Sequence, residues 1–131
     1  MNKVLVDSSV WIAFLKGVEE GRQLFSLLDT NQICINDLIL AELIPSLNHK
    51  KELALVRLLQ SIERTRLHID WESIIEMQTI NLKNGLNRVG VPDLIIAQNA
   101  LQNDIPLFSF DRHFEIMKKS IGIKLFNINT I

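Results

Sequence analysis

The sequence predicts an α/β fold around a parallel sheet, and two observations predict it. Short apolar runs rich in β-branched residues alternate with longer segments of helical period, and acids stand just beyond two of those runs. The first run, Val4 to Val6, reads as a strand that ends on Asp7. Helical segments over Val10 to Lys16 and Glu20 to Leu28 follow, the first closed by Gly17. Ile33 to Ile35 is the second candidate strand, and helices over Leu38 to Ile44 and Lys50 to Arg64 come next. Proline lacks a backbone donor and clashes with the preceding turn, so Pro45 is expected to kink or stop the helix near Ile44. Leu67 to Ile69 is the third strand, and Asp70 is placed to cap a helix over Trp71 to Lys83. Asn84 to Val91, with two glycines and Arg88, reads as a mobile loop. Pro92 opens a helix that runs to Gln102, Pro106 to Ser109 is the fourth strand, Arg112 to Lys119 a helix, and Lys124 to Asn127 the fifth strand.

A chain of 131 residues, 47 % hydrophobic and 22 % charged, falls in the range of one compact domain, here residues 1–131. No long uncharged stretch reads as a membrane span and no start reads as a signal peptide, which fits a cytoplasmic location. The single cysteine, Cys34, lies between Ile33 and Ile35 and is expected to pack as a small core residue. The formal charge of −1 argues against a strongly basic protein that coats nucleic acid. Neutralising four acids by bound cations would leave +3, a mildly basic surround for an anionic substrate.

Four acids carry the chemical argument. Asp7 follows the first strand, and ligands of open α/β sheets bind at that carboxyl edge; the alternative is that Asp7 merely caps the next helix. Asp111 occupies the equivalent place after the fourth strand. Asp93 lies in a helix first turn, where the helix dipole alone would favour it. Glu42 is flanked by Leu38, Ile39, Leu40, Ala41, Leu43 and Ile44, so it is expected as a lone charge in a largely buried helix that needs a partner such as a metal ion. Carboxylate oxygens suit Mg²⁺, whereas His49, His68, His113 and Cys34 show no zinc-site spacing, and no phosphate loop with a glycine-lysine signature is present. Trp11, Phe14, Trp71 and Phe114 are expected in the core. His49, Lys50, Lys51, Arg57, Arg64 and Arg66 either guide nucleic acid or solvate an outer face.

The stretches Val4-Leu-Val-Asp7-Ser8-Ser9-Val-Trp-Ile, the Glu42 segment, Val91-Pro92-Asp93-Leu-Ile-Ile-Ala and Phe108-Ser109-Phe110-Asp111-Arg112-His113-Phe114 together resemble the successive motifs of PIN-domain nucleases. Within that family they look most like the VapC-type ribonuclease toxins of bacterial toxin-antitoxin pairs. The likeness implies a three-layer α/β/α sandwich with a parallel sheet, here five-stranded on the candidate strands, in which the strands leading to Asp7 and Asp111 lie side by side. It implies Mg²⁺, with Mn²⁺ as a substitute, held by Asp7, Glu42, Asp93 and Asp111, and metal-dependent hydrolysis of RNA phosphodiesters. Ser9 would assist the metal or the scissile phosphate, and Arg112 is a candidate phosphate contact through its guanidinium. A homodimer and a cognate antitoxin protein are also implied, with apolar surface near Trp11, Phe25 and Leu55 as candidate interfaces. Three other readings stay open: a PIN nuclease of RNA processing without a toxin role, an aspartyl-phosphate phosphatase using Asp7, and a catalytically silent binding module.

Overall fold

A computed structural model describes residues 2–127. Strand β1 (Val4–Val6) leads into helix α1 (Ser8–Leu15), a 3₁₀ turn (Glu19–Gln23) and α2 (Leu24–Asp29). Strand β2 (Ile33–Ile35), α3 (Asp37–His49), α4 (Leu53–Ser61), β3 (Glu63–Arg64), α5 (Trp71–Lys83), α6 (Val91–Gln102), β4 (Leu107–Phe108) and α7 (Arg112–Ile121) complete the order. The described strands form a four-stranded sheet, β3-β2-β1-β4, parallel throughout. This is the α/β parallel arrangement the sequence predicts, with β1 and β4 side by side: Leu5 pairs with Leu107 and Val6 with Phe108. Every residue of β1, β2 and β4 is buried, as expected of parallel strands covered on both faces.

Two candidate strands fall elsewhere. Leu67 to Ile69 is not a strand; pairing to β2 occurs earlier, where Ile35 matches Arg64. Past that point amide side chains of α6 bond alternate carbonyls of the chain. Asn99 Nδ2 donates to the Arg66 carbonyl at 3.0 Å, Gln102 Nε2 to that of His68 at 2.8 Å, and Gln98 Nε2 to that of Asp70 at 3.0 Å. Gln98 Oε1 accepts from Asp70 N at 3.1 Å. Three carbonyls and the Asp70 N–H of the segment are thus paired without a ladder. Lys124 to Asn127 contributes one parallel bridge, Leu107 to Leu125, in which Leu107 N donates to the Lys124 carbonyl and Phe126 N to the Leu107 carbonyl, each at 2.8 Å.

Helix limits differ where tertiary contacts decide them. The helix of Glu42 does not stop at Ile44 but runs through Pro45 to His49. Pro45 and Ala41, the residue whose carbonyl loses its partner, both sit on the exposed face, so solvent can take the place of the missing donor. The segment Glu20 to Leu28 splits at the 3₁₀ turn, since Gly21 packs so closely that an added Cβ would stand 2.3 Å from Phe14 N. Lys51, at φ 60°, breaks the chain between α3 and α4. The stretch Asn84 to Val91 is anchored at Val89, which is buried and whose carbonyl accepts from Gln78 Nε2 at 2.7 Å.

The core gathers β1, β2 and β4 with Trp11, Leu24, Ile39, Leu59, Leu94, Ile96, Phe114 and Met117. Trp11 and Phe114 are fully buried and Phe14 packs against this core, but Trp71 is 57 % exposed at the first position of α5. Burial of Trp11 also removes it from any interface. Cys34 is buried, and desolvation pushes its thiol up to about 12, which leaves it an inert core residue. Among the described residues no helix is long and apolar enough to cross a membrane.

Candidate metal centre

Asp7 is built by the strand-to-helix junction at the carboxyl end of β1. Its N–H donates to the Phe108 carbonyl at 2.9 Å, which fixes it beside β4, and its carbonyl accepts from Val10 and Trp11, which starts α1. The side chain caps nothing. Although 4 % exposed, its Oδ2 instead accepts from Ser9 Oγ and Ser109 Oγ, both at 2.8 Å. Helix capping therefore does not explain this acid. Ser9 Oγ also accepts from Phe110 N, and Ser109 Oγ from Asp111 N, each at 3.0 Å, so two hydroxyls tie the ends of β1 and β4 together.

Asp111 differs. It is the N-cap of α7, and its Oδ1 accepts from His113 N at 2.9 Å, so a capping role does hold for it. Asp93 sits in the first turn of α6 just after Pro92, and its side chain is 24 % exposed. Burial, then the charges of Asp111 and Asp7, push its carboxyl up to about 6, against which His113 acts. The Glu42 expectation needs correction: α3 buries Ile39, Leu40, Leu43 and Leu47, whereas Glu42 lies on the open side and counts as exposed. Its carboxyl nevertheless stands near enough to Asp7 and Asp93 to be coupled to them. Partial desolvation first, then the charge of Asp7, raise its pKa, Ser8 lowers it by a hydrogen bond, and Asp93 raises it further.

The fold thus brings Asp7, Glu42, Asp93 and Asp111 into one electrostatically coupled group from four separate elements. The tightest part is Asp93, Asp111 and His113, whose ligand atoms lie within 4.8 Å of one another and form a cluster with the geometry to hold a metal ion. Burial first and mutual repulsion second raise the pKa of Glu42 and Asp93, and a cation at this place would relieve the repulsion. Ser9 is at the site, bonded to Asp7. Arg112 is exposed and points to no partner, so nothing in the structure ties it to the acids. Two participants emerge only from the structure, Ser8 on Glu42 and Ser109 on Asp7, while His113, a candidate helper at the Asp111 edge, lies between two carboxylates. The only signal of the two serines was adjacency to the acids, Ser8 directly after Asp7 and Ser109 two positions from Asp111.

Fold and site together define a class: a parallel α/β protein with a cluster of carboxylates that could hold a metal ion at the carboxyl edge of its sheet. The PIN domain family model matches residues 4–120, and the chain belongs to that family of nucleases, which use divalent metal ions. Among solved structures it is similar to VapBC2 of Rickettsia felis bound to a fragment of its promoter DNA, with TM-score 0.72 and 20 % identity over 95 % of this chain and 97 % of that one. A DNA-bound VapBC of Salmonella typhimurium gives TM-score 0.71 and 21 % identity over 98 % and 99 %. VapBC-5 of Mycobacterium tuberculosis, a member of a family of toxin-antitoxin systems, gives 0.71 and 20 % over 97 % and 99 %. No curated protein sequence matches the chain significantly.

Proposed function

We propose that this protein is a Mg²⁺-dependent endoribonuclease and the toxin of a toxin-antitoxin pair. The observation that carries the reading is the convergence of Asp7, Glu42, Asp93 and Asp111 on one crevice, with the carboxyls of Glu42 and Asp93 held above their ordinary pKa. An all-carboxylate set suits Mg²⁺, with Mn²⁺ as a substitute, and when bound the ion supplies Lewis acidity toward a phosphoryl group and lowers the pKa of water.

The chain's own residues then divide the work. Asp93 and Asp111 hold the ion, and Asp7, clamped by Ser9 and Ser109, gives a third carboxylate of fixed orientation. Glu42, at the open mouth with a raised pKa, is suited to accept a proton from the attacking water. Arg112, exposed beside Asp111, serves as a phosphate contact.

Similarity to VapBC structures, one of them described as a toxin-antitoxin system, supports a cognate antitoxin for this chain, and a homodimer belongs to the same reading. A groove of about 340 Å³ opens beside Glu42, lined by Ile12, Leu15, Leu43, Leu47 and Leu55, and gives an antitoxin segment apolar seating next to the acids. Membership in the PIN family sets the aspartyl-phosphate phosphatase reading aside.

The test is cleavage of structured RNA by the purified chain with Mg²⁺ or Mn²⁺, repeated with chelator and with Asp7→Ala, alongside growth of a host expressing each form. Metal-dependent cleavage and growth arrest, both lost in Asp7→Ala, are expected. Cleavage without growth arrest would favour an RNA-processing nuclease. A fully folded protein that neither cleaves RNA nor gains melting temperature from either ion would sink the nuclease reading in favour of a binding module.

A further inference from the structure

His113 stands among the carboxylates with no task in the scheme above. Its Nδ1 is buried and makes no well-aligned hydrogen bond, although it faces Asp111 Oδ1 at 3.3 Å and Asp93 Oδ2 at 3.9 Å and its polar contact lowers the proton affinity of Asp93. A ring N–H this close to two acceptors would normally be aligned on one of them. Here the hydrogen bond to Asp111 Oδ1 comes instead from the His113 backbone N–H, at 2.9 Å. The ligand atoms of the three residues all lie within 4.8 Å of one another. Around an octahedral ion with bonds of about 2.1 Å, neighbouring donors stand roughly 3 Å apart and opposite donors roughly 4.2 Å apart. The two separations at His113 Nδ1, 3.3 Å and 3.9 Å, fall in that range.

We propose that His113 Nδ1 is a direct nitrogen ligand of the bound ion, and that this nitrogen makes the centre favour Mn²⁺ over Mg²⁺. The inference rests on the metal-dependent reading given above. Local structure provides the placement: Asp111 caps α7 through His113 N, and the next residue, Phe114, is fully buried, so the turn that carries His113 is fixed on both sides. Imidazole serves first-row transition ions better than it serves Mg²⁺, for which oxygen donors are preferred. Being neutral as a ligand, it also adds a donor without adding to the repulsion among Asp7, Asp93 and Asp111. The other histidines, His49 and His68, are exposed and lie outside the cluster.

Pulsed electron paramagnetic resonance on the full chain loaded with Mn²⁺ tests this, together with Mg²⁺ and Mn²⁺ titrations read as shifts in melting temperature. The wild type is expected to show the nitrogen coupling of a directly bound imidazole, and His113→Asn to lack it. The ratio of Mn²⁺ to Mg²⁺ affinity should fall by about tenfold or more in the variant, the scale on which groups supporting a metal site act. An unchanged melting temperature without metal would show that His113→Asn still folds; if it does not, His113→Gln takes its place and the wild-type spectrum decides the coupling on its own. Bound Mn²⁺ with no nitrogen coupling would overturn the ligand assignment while leaving a metal-dependent nuclease intact. Failure of Mn²⁺ to bind at all would overturn both.

Discussion

The carboxyl of Asp93 holds its proton more tightly in the folded chain, near pH 6, than as an ordinary side chain at 3.8. In the metal-free protein this proton affinity stabilises the fold fully below about pH 4 and is lost as pH rises through about 6, because the folded state binds more protons across that window. With the side chain 24 % exposed, solvent screening leaves roughly 1–2 kcal/mol of the effect. Asp93→Asn resembles the protonated form at every pH. Melted in chelator, the variant should therefore show a flatter stability profile between pH 4 and 6.5 and should outlast the wild type at pH 7, while losing its response to Mg²⁺. Parallel profiles for the two proteins would count against the assigned burial and repulsion. At this same scale the sequence was informative about the acids and silent about their helpers. Strand-end logic picks out Asp7 and Asp111 from the chain alone, but that Ser109 faces Asp7 follows only once β1 and β4 pair.

Helix α3 carries a proline in its ninth position and still holds Glu42 where the crevice opens. A proline inside a helix costs about 3 kcal/mol relative to alanine, partly offset by the stiffer unfolded chain. Pro45→Ala should accordingly raise stability by about 1–2 kcal/mol in urea denaturation, and equal or lower stability would show that the exposed face already compensates in full. Sequence pattern placed β1, β2 and most helices because their apolar runs carry their own signal. It misplaced β3 because Glu63 and Arg64 have no strand character of their own; they pair because Cys34 and Ile35 stand opposite. It also ended α3 early, since exposure of Ala41 and Pro45 is a tertiary fact. Glu42 looked buried for a related reason: its neighbours are apolar, but only one side of the helix meets the core.

Across the whole molecule, Asn99 is the joint between layers. Fully buried in α6, it accepts from Asn36 Nδ2 at 3.0 Å and Thr65 Oγ1 at 2.7 Å and donates to the Arg66 carbonyl at 3.0 Å. Asn36 in turn caps α3, accepting from Ile39 N at 2.9 Å, so one amide links the helix of Asp93 to the helix of Glu42 and to the chain beyond β3. Asn99→Leu keeps the volume but strands three polar groups, and a loss of about 2–4 kcal/mol in chemical denaturation is expected. A loss near zero would mean that the network is incidental. The same clasp has a further consequence. The outer strand of a sheet is a template on which another chain can extend the ladder and seed aggregation. Here that border is two charged, exposed residues long, and the backbone after it is already spoken for by side chains from within the molecule. An incoming strand meets a border only two residues long and, past it, three carbonyls already taken by side chains, so that border is a poor template for a growing ladder.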